Sequence, residues 1–112
     1  MHATQHSPIL VYMTASGEAE ARSIGEALVA KRLAACVNIL SGIRSIFRWD
    51  SKVQDENEVA FMAKTTADRL DELTAVVKDL HSYEVPCIVA LPIVGGSAEF
   101  IDWIRTETTE QG

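Results

Sequence analysis

Residues 43–64 constrain this chain more than any other segment. Ile43, Ser45, Phe47 and Trp49 alternate with Arg44, Ile46 and Arg48, a period of two that only an extended strand satisfies. Asp50 and Ser51 then suit a two-residue turn, and residues 52–64 return as a second long strand. A strand of about ten residues spans about 33 Å, whereas a domain of about 100 residues has a radius of gyration of about 13 Å. The hairpin tip is therefore expected to overhang its own domain and to meet another subunit. With 112 residues, the chain has no length for a second domain of its own.

The flanking segments place this hairpin in a recognisable order. Ile9, Leu10, Val11, Tyr12 and Met13 form a short β-prone run. Ser16 and Gly17 open a helix with Glu18 and Glu20 in its first turn, where negative charge is favoured. Ala21, Ile24, Gly25, Leu28 and Val29 recur at helical spacing, and Lys31 and Arg32 close the helix. Residues 36–40 read as a strand broken by Ser41 and Gly42. After the hairpin, residues 65–68 match a capping box, and Leu70, Leu73, Val76, Val77 and Leu80 make an apolar stripe. Pro86 prevents that helix from continuing. Residues 87–91 form a last strand, Gly95, Gly96 and Ser97 a turn and cap, and Phe100, Ile101, Trp103 and Ile104 belong to a terminal helix.

The order is β-α-β-β-α-β with an added C-terminal helix, which predicts an α+β fold, the ferredoxin-like sandwich. Right-handed crossovers put both main helices on one face of the sheet. Yet the first and last strands are apolar on both faces, as befits strands covered on both sides. The second cover has to come from outside the chain, so an obligate oligomer is expected. Residues 1–8 are read as a flexible N-terminal tail and residues 9–112 as the single domain.

Ten Lys and Arg against sixteen Asp and Glu give a net charge of −6, the wrong sign for a nucleic-acid module. The longest apolar run, residues 85–94, carries Pro86 and Pro92 and falls well short of the roughly 20 residues of a membrane span. The N-terminus has neither the basic start nor the apolar stretch of a signal peptide. Cys36 and Cys87 stand far apart with no C-x-x-C, so a reducing cytoplasm is the expected location.

His81 is the main candidate for chemistry. Neutral imidazole is a common copper and zinc ligand, and Tyr83 and Glu84 stand beside it at a helix exit. The competing reading makes it a helix cap at the negative end of the dipole. A metal site would need donors from elsewhere, such as the Met13 thioether, Cys36 or a neighbouring chain. Asp55, Glu56, Asn57 and Glu58 fail as a calcium loop, because Val59 and Ala60 stand where an acidic ligand and a glycine are required. They read as a solvated strand edge with Glu56 and Glu58 on one face. Cys36 lies in an apolar strand without a local base, and no nucleophile–base arrangement appears, so no enzyme is expected.

Ala35, Cys36, Val37 and Asn38, then Phe47 and Trp49 with Lys52, Val53 and Glu58, then Lys64, Thr65 and Thr66, and finally His81, Tyr83 and Pro86 resemble the CutA family of divalent-cation tolerance proteins. The resemblance runs from Ile9 to Trp103. It implies a ferredoxin-like fold assembled as a tight homotrimer, with a non-enzymatic role in tolerance to divalent cations and copper, as Cu2+ or Cu+, as the candidate ligand. His81, Glu84 and Met13 are the metal candidates. The family's proposed copper site has a thiol near the position of Met13 and a histidine at that of Leu80, and this chain has neither. Lys64, Tyr83, Glu58, Cys36 and Trp49 are candidates for an inter-subunit ligand cleft. The resemblance also suggests a second reading, a trimeric signalling protein like the PII proteins, binding a small anionic ligand there with Lys64 in the leading role.

Overall fold

The computed structural model describes residues 5–109. Strand β1 (Pro8–Ala15) leads to helix α1 (Glu18–Ala30), strands β2 (Cys36–Trp49) and β3 (Lys52–Thr66), helix α2 (Leu70–Leu80), strand β4 (Ile88–Pro92) and helix α3 (Ala98–Thr108). The strands form one sheet in the order β2-β3-β1-β4, antiparallel throughout. This is the predicted ferredoxin-like arrangement.

Both crossover helices pack on the same face. Ala21, Ile24 and Leu28 of α1 and Leu73 and Val77 of α2 share one buried cluster with Val11, Met13, Phe61 and Ala63. Cross-strand pairs Val11↔Ala63 and Met13↔Phe61 show that these strand residues point the same way. Gly25 lets α1 lie close to the sheet, since a Cβ there would stand 3.2 Å from Val37 Cγ1. The helix ends in a Schellman-type turn: Arg32 has φ 59°, Leu33 N donates to Leu28 O at 2.9 Å, and the Leu33 side chain is buried.

The other face of the sheet is largely bare. Its register runs Leu10↔Leu91, Tyr12↔Val89 and Leu40↔Ala60, and Leu40, Val89 and Leu91 are each about half exposed. Helix α3 reaches one end of this face, where Lys64 Nζ lies 5.9 Å from the centroid of the Phe100 ring. Phe100 and Trp103 themselves remain exposed. The hairpin gives the molecule a long axis of 44 Å against 29 and 22 Å across.

Four local expectations are corrected. Ser41 and Gly42 do not break the second strand. Leu40 pairs with Ala60 and Ile43 with Glu58, so Ser41 and Gly42 together face the single Val59 in a β-bulge, with Gly42 at φ 80°. The capping box does not form either. Thr66 Oγ1 donates to Asp68 Oδ1 at 2.6 Å, Thr65 Oγ1 is buried without a partner, and a 3₁₀ turn (Ala67–Arg69) precedes α2. The amides a cap would satisfy are taken by backbone: Ala67 N donates to Ser7 O and Asp68 N to Gln5 O. Those bonds, with Arg105 Nε donating to His6 O, tie down residues 5–7, against the expectation of a flexible tail. Pro8 already belongs to β1, and residues 1–4 of that tail lie outside the described residues. Leu80 does not complete the buried stripe of α2, being 45% exposed.

The hairpin turn itself is as expected. Asp50 and Ser51 have φ of 54° and 62°, the doubly left-handed geometry of a type I′ turn. Removing the Cβ at the second position relieves part of that strain, so Ser51→Gly is expected to stabilise the protein by up to about 1 kcal/mol. A higher urea midpoint at fixed protein concentration checks this.

Candidate functional site

The bulge in β2 sets up the site. Before it, Cys36, Asn38 and Leu40 face the bare side of the sheet. After it, the odd positions Ile43, Ser45, Phe47 and Trp49 take over that side, paired with Glu58, Glu56, Gln54 and Lys52. Between this part of the hairpin and the loop after α2 lies an open cleft of about 700 Å³, lined by Tyr12, Phe47, Trp49, Glu56, Glu58, Tyr83, Glu84 and Cys87 among others.

The loop wall is held by His81, whose side chain is fully buried. Tyr83 N donates to His81 Nδ1 at 3.0 Å, so the ring proton sits on Nε2, which donates to Thr14 O at 2.8 Å. Glu20 braces the same loop. It accepts from Ser82 N at 2.7 Å and from the amide and hydroxyl of Ser16 at 3.2 and 3.0 Å. Burial alone would raise the pKa of Glu20, but these bonds from Ser82 and Ser16 outweigh it and hold the carboxyl below its ordinary value.

Tyr83 turns from this bracket into the cleft. Its ring packs on His81 with centroids 4.6 Å apart, and its hydroxyl donates to Glu58 Oε2 at 2.6 Å. Burial, the Glu58 hydrogen bond and the charges of Glu58, Glu20 and Glu56 together push the phenol far above its usual pKa. Burial and the Glu58 charge likewise raise the Cys87 thiol, against a hydrogen bond with Thr14, and a raised thiol makes a poor nucleophile.

The candidate residues thus fall into four places. Tyr83, Glu58, Glu84 and Trp49 meet at the cleft. Cys36 and Lys64 stand together elsewhere on the bare face, with Lys64 Nζ 3.8 Å from Cys36 Sγ and donating to Asn38 Oδ1. Met13 is wholly buried in the core under the helices. His81 is in the loop bracket. The proposed donor set of His81, Glu84 and Met13 is therefore not assembled: both imidazole nitrogens hold backbone, the thioether is sealed in the core, and Glu84 is exposed. Among the described residues no three His, Cys, Asp or Glu side chains group to hold a metal ion. A copper ion does not fit these residues. Nor do they favour an anion, because three glutamates and no Lys or Arg line the cleft. The PII-like reading finds no support, and Lys64, its leading residue, is elsewhere.

Tyr12, Phe47, Glu56 and Glu20 complete the arrangement and are not among the site residues expected from sequence. Glu56 was within reach of pattern, since it shares a strand face with Glu58. The Glu20–Ser82 contact spans 62 residues and leaves no local signal.

Fold and site together define a ferredoxin-like α+β protein with an acidic, aromatic-walled cleft. The family profile described as CutA1 divalent ion tolerance protein matches residues 9–107, and the chain belongs to that family. It is 48% identical over 99 residues to the divalent-cation tolerance protein CutA of Thermus thermophilus, covering 88% of this chain and 96% of that one. A chloroplastic CutA 1 of rice is 39% identical over 91% of this chain, which spans only 58% of the rice protein's length. Among solved structures, the Thermus thermophilus protein superposes with a TM-score of 0.89 at 46% identity, covering 91% of this chain and 99% of that one. Rice CutA1 gives 0.90 at 38% identity, covering 97% and 100%. The family is named for tolerance and not for catalysis.

The Glu20 bracket has a pH signature. A carboxylate with a lowered folded pKa stabilises above its unfolded value and loses that contribution as pH falls through the folded value. Glu20→Gln is expected to cost about 1–2 kcal/mol at pH 7. The difference from the unmodified protein should shrink as pH falls below about 4.3. Urea unfolding at pH 7 and at pH 3.5 measures both.

Proposed function

We propose that this chain acts as a non-enzymatic homotrimer in tolerance to divalent cations. The observation that carries the reading is the bare apolar face of the sheet, where Leu40, Val89 and Leu91 are 57%, 52% and 45% exposed in the single chain. A patch of that kind marks an interface. The 44 Å long axis set by the hairpin supports the same assembly, since the tip extends beyond its own core. The names of the Thermus thermophilus and Archaeoglobus fulgidus relatives, both divalent-cation tolerance proteins, support the role.

Tolerance on this reading runs through the assembled, acidic particle and not through a copper centre at His81. No described helix is long and apolar enough to cross a membrane. Two free, half-buried cysteines support a reducing, cytoplasmic setting.

Light scattering after size exclusion at low micromolar concentration is expected to give three times 12.3 kDa. A monomer at that concentration overturns the proposal. Copper calorimetry tests the second part. His81→Ala is expected to lower stability and leave copper affinity within about twofold, whereas replacing His2 and His6 together should remove most weak binding by chelating imidazoles. Loss of copper binding in folded His81→Ala alone would restore the histidine centre.

A further inference from the structure

The side chain of His81 is fully buried, and its two nitrogens are engaged in a way that only the neutral ring permits. Nε2–H donates to Thr14 O at 2.8 Å, and Nδ1 accepts from Tyr83 N at 3.0 Å. A second proton would have to go on Nδ1, where it would face the N–H donor of Tyr83. A carboxylate stands within reach of it. Glu20 Oε2 is 3.9 Å from Nδ1, too far for a hydrogen bond now and close enough to accept one from an imidazolium after a small shift.

The groups around the ring favour that exchange of partners. From α1 comes Glu20, aimed by its bonds from Ser82 and Ser16. No Lys or Arg among the described residues pairs with it, so its charge is available to an imidazolium. From the loop comes the Tyr83 phenol, its ring centroid 4.6 Å from that of His81, and behind it on β3 stands Glu58, which accepts from the phenol. From β1 comes Thr14, which also hydrogen-bonds with the Cys87 thiol beside β4. Helix α2 contributes the Val77 carbonyl, which holds the His81 amide at 2.9 Å.

We propose that His81 and Glu20 form a proton-operated latch on the loop that follows α2. With a neutral ring, Nδ1 holds the Tyr83 amide and the latch is closed. With a protonated ring, Nδ1–H turns to Glu20 and the Tyr83 amide is released, while Nε2 stays on Thr14 O. The proton thus moves a backbone hydrogen bond, and with it the segment that carries Tyr83 to Glu58. Every group in the exchange belongs to one chain, so it needs neither a free surface nor a ligand. The proposal goes beyond the tolerance role and does not depend on it.

Imidazoles change charge between about pH 8 and pH 5, and NMR of the full chain across that range tests the latch through the His81 ring protons and the exchange of the Tyr83 amide. After correction for the intrinsic rate, Tyr83 protection is expected to fall about tenfold as the ring takes its second proton. The His81 amide on Val77 O should keep its protection. His81→Asn places a carbonyl oxygen near the position of Nδ1 and cannot titrate, so its Tyr83 profile should be flat. Glu20→Gln keeps an acceptor for Ser82 N and removes the charge, so the transition should move to lower pH. That second variant leaves the imidazole in place and carries the test if the first folds poorly. A ring that holds only its Nε2 proton down to about pH 5 overturns the proposal. So does a fall in Tyr83 protection that His81→Asn shares, or a transition that Glu20→Gln leaves in place. Protection lost uniformly across the sheet amides, or together with a drop in mass by light scattering, also overturns it, because the whole fold or assembly is then what loosens.

Discussion

Both crossover helices return to one side of a four-stranded sheet, and most of what is distinctive about this protein follows from that asymmetry. A right-twisted strand feeding a helix comes back to the sheet with one hand only, so α1 and α2 cannot share the two faces between them. Val11, Met13, Phe61 and Ala63 are sealed beneath the helices. Their neighbours Leu10, Tyr12 and Met62 are left with partial cover, and Leu40, Val89 and Leu91 with less. Helix α3 shields one end only. The chain is thus complete as a fold and incomplete as a surface.

The cleft grows from the same bare face, with one irregularity added. Had β2 run with unbroken alternation, the even positions would have kept the bare side, and Arg44, Ile46 and Arg48 would have faced Glu56, Gln54 and Lys52. The extra residue at Ser41 and Gly42 exchanges the faces. Phe47 and Trp49 then join the carboxylates, while Arg44 goes to the other side and donates to Asp55 and Asn57. The bulge thereby takes Arg44 and Arg48 away from Glu56 and Glu58 and leaves the cleft with aromatic walls and no Lys or Arg in its lining.

His81 shows how a residue with functional chemistry can be absorbed by architecture. Its two nitrogens join the end of β1 to the loop after α2, and the ring supports Tyr83 from behind. Glu20 fastens the next residue of that loop from α1. The imidazole shapes the cleft through Tyr83 without entering it. This differs from both sequence readings, since it neither presents a free nitrogen nor merely caps the dipole of α2.

Pattern and spacing alone were enough for the order of strands and helices, the hairpin with its two-residue turn, and the shared face of Glu56 and Glu58. Those features are local: a period of two, a period of 3.6 or a two-residue turn is written within a few neighbouring positions. The resemblance in residues 35–38, 47–58 and 81–86 identified the family. The capping box at residues 65–68 misled because its amides are satisfied by the carbonyls of Gln5 and Ser7, which no local signature records. Met13 and His81 misled for the same reason. A thioether in a strand and an imidazole at a helix exit carry ligand chemistry in any sequence, and only packing determines whether a lone pair is left over. The Glu20–Ser82 bracket and the Tyr83–Glu58 pair join residues 62 and 25 positions apart. Such contacts exist only once the sheet register and the helix crossovers have brought their elements together, so tertiary structure decided the site while local pattern decided the fold.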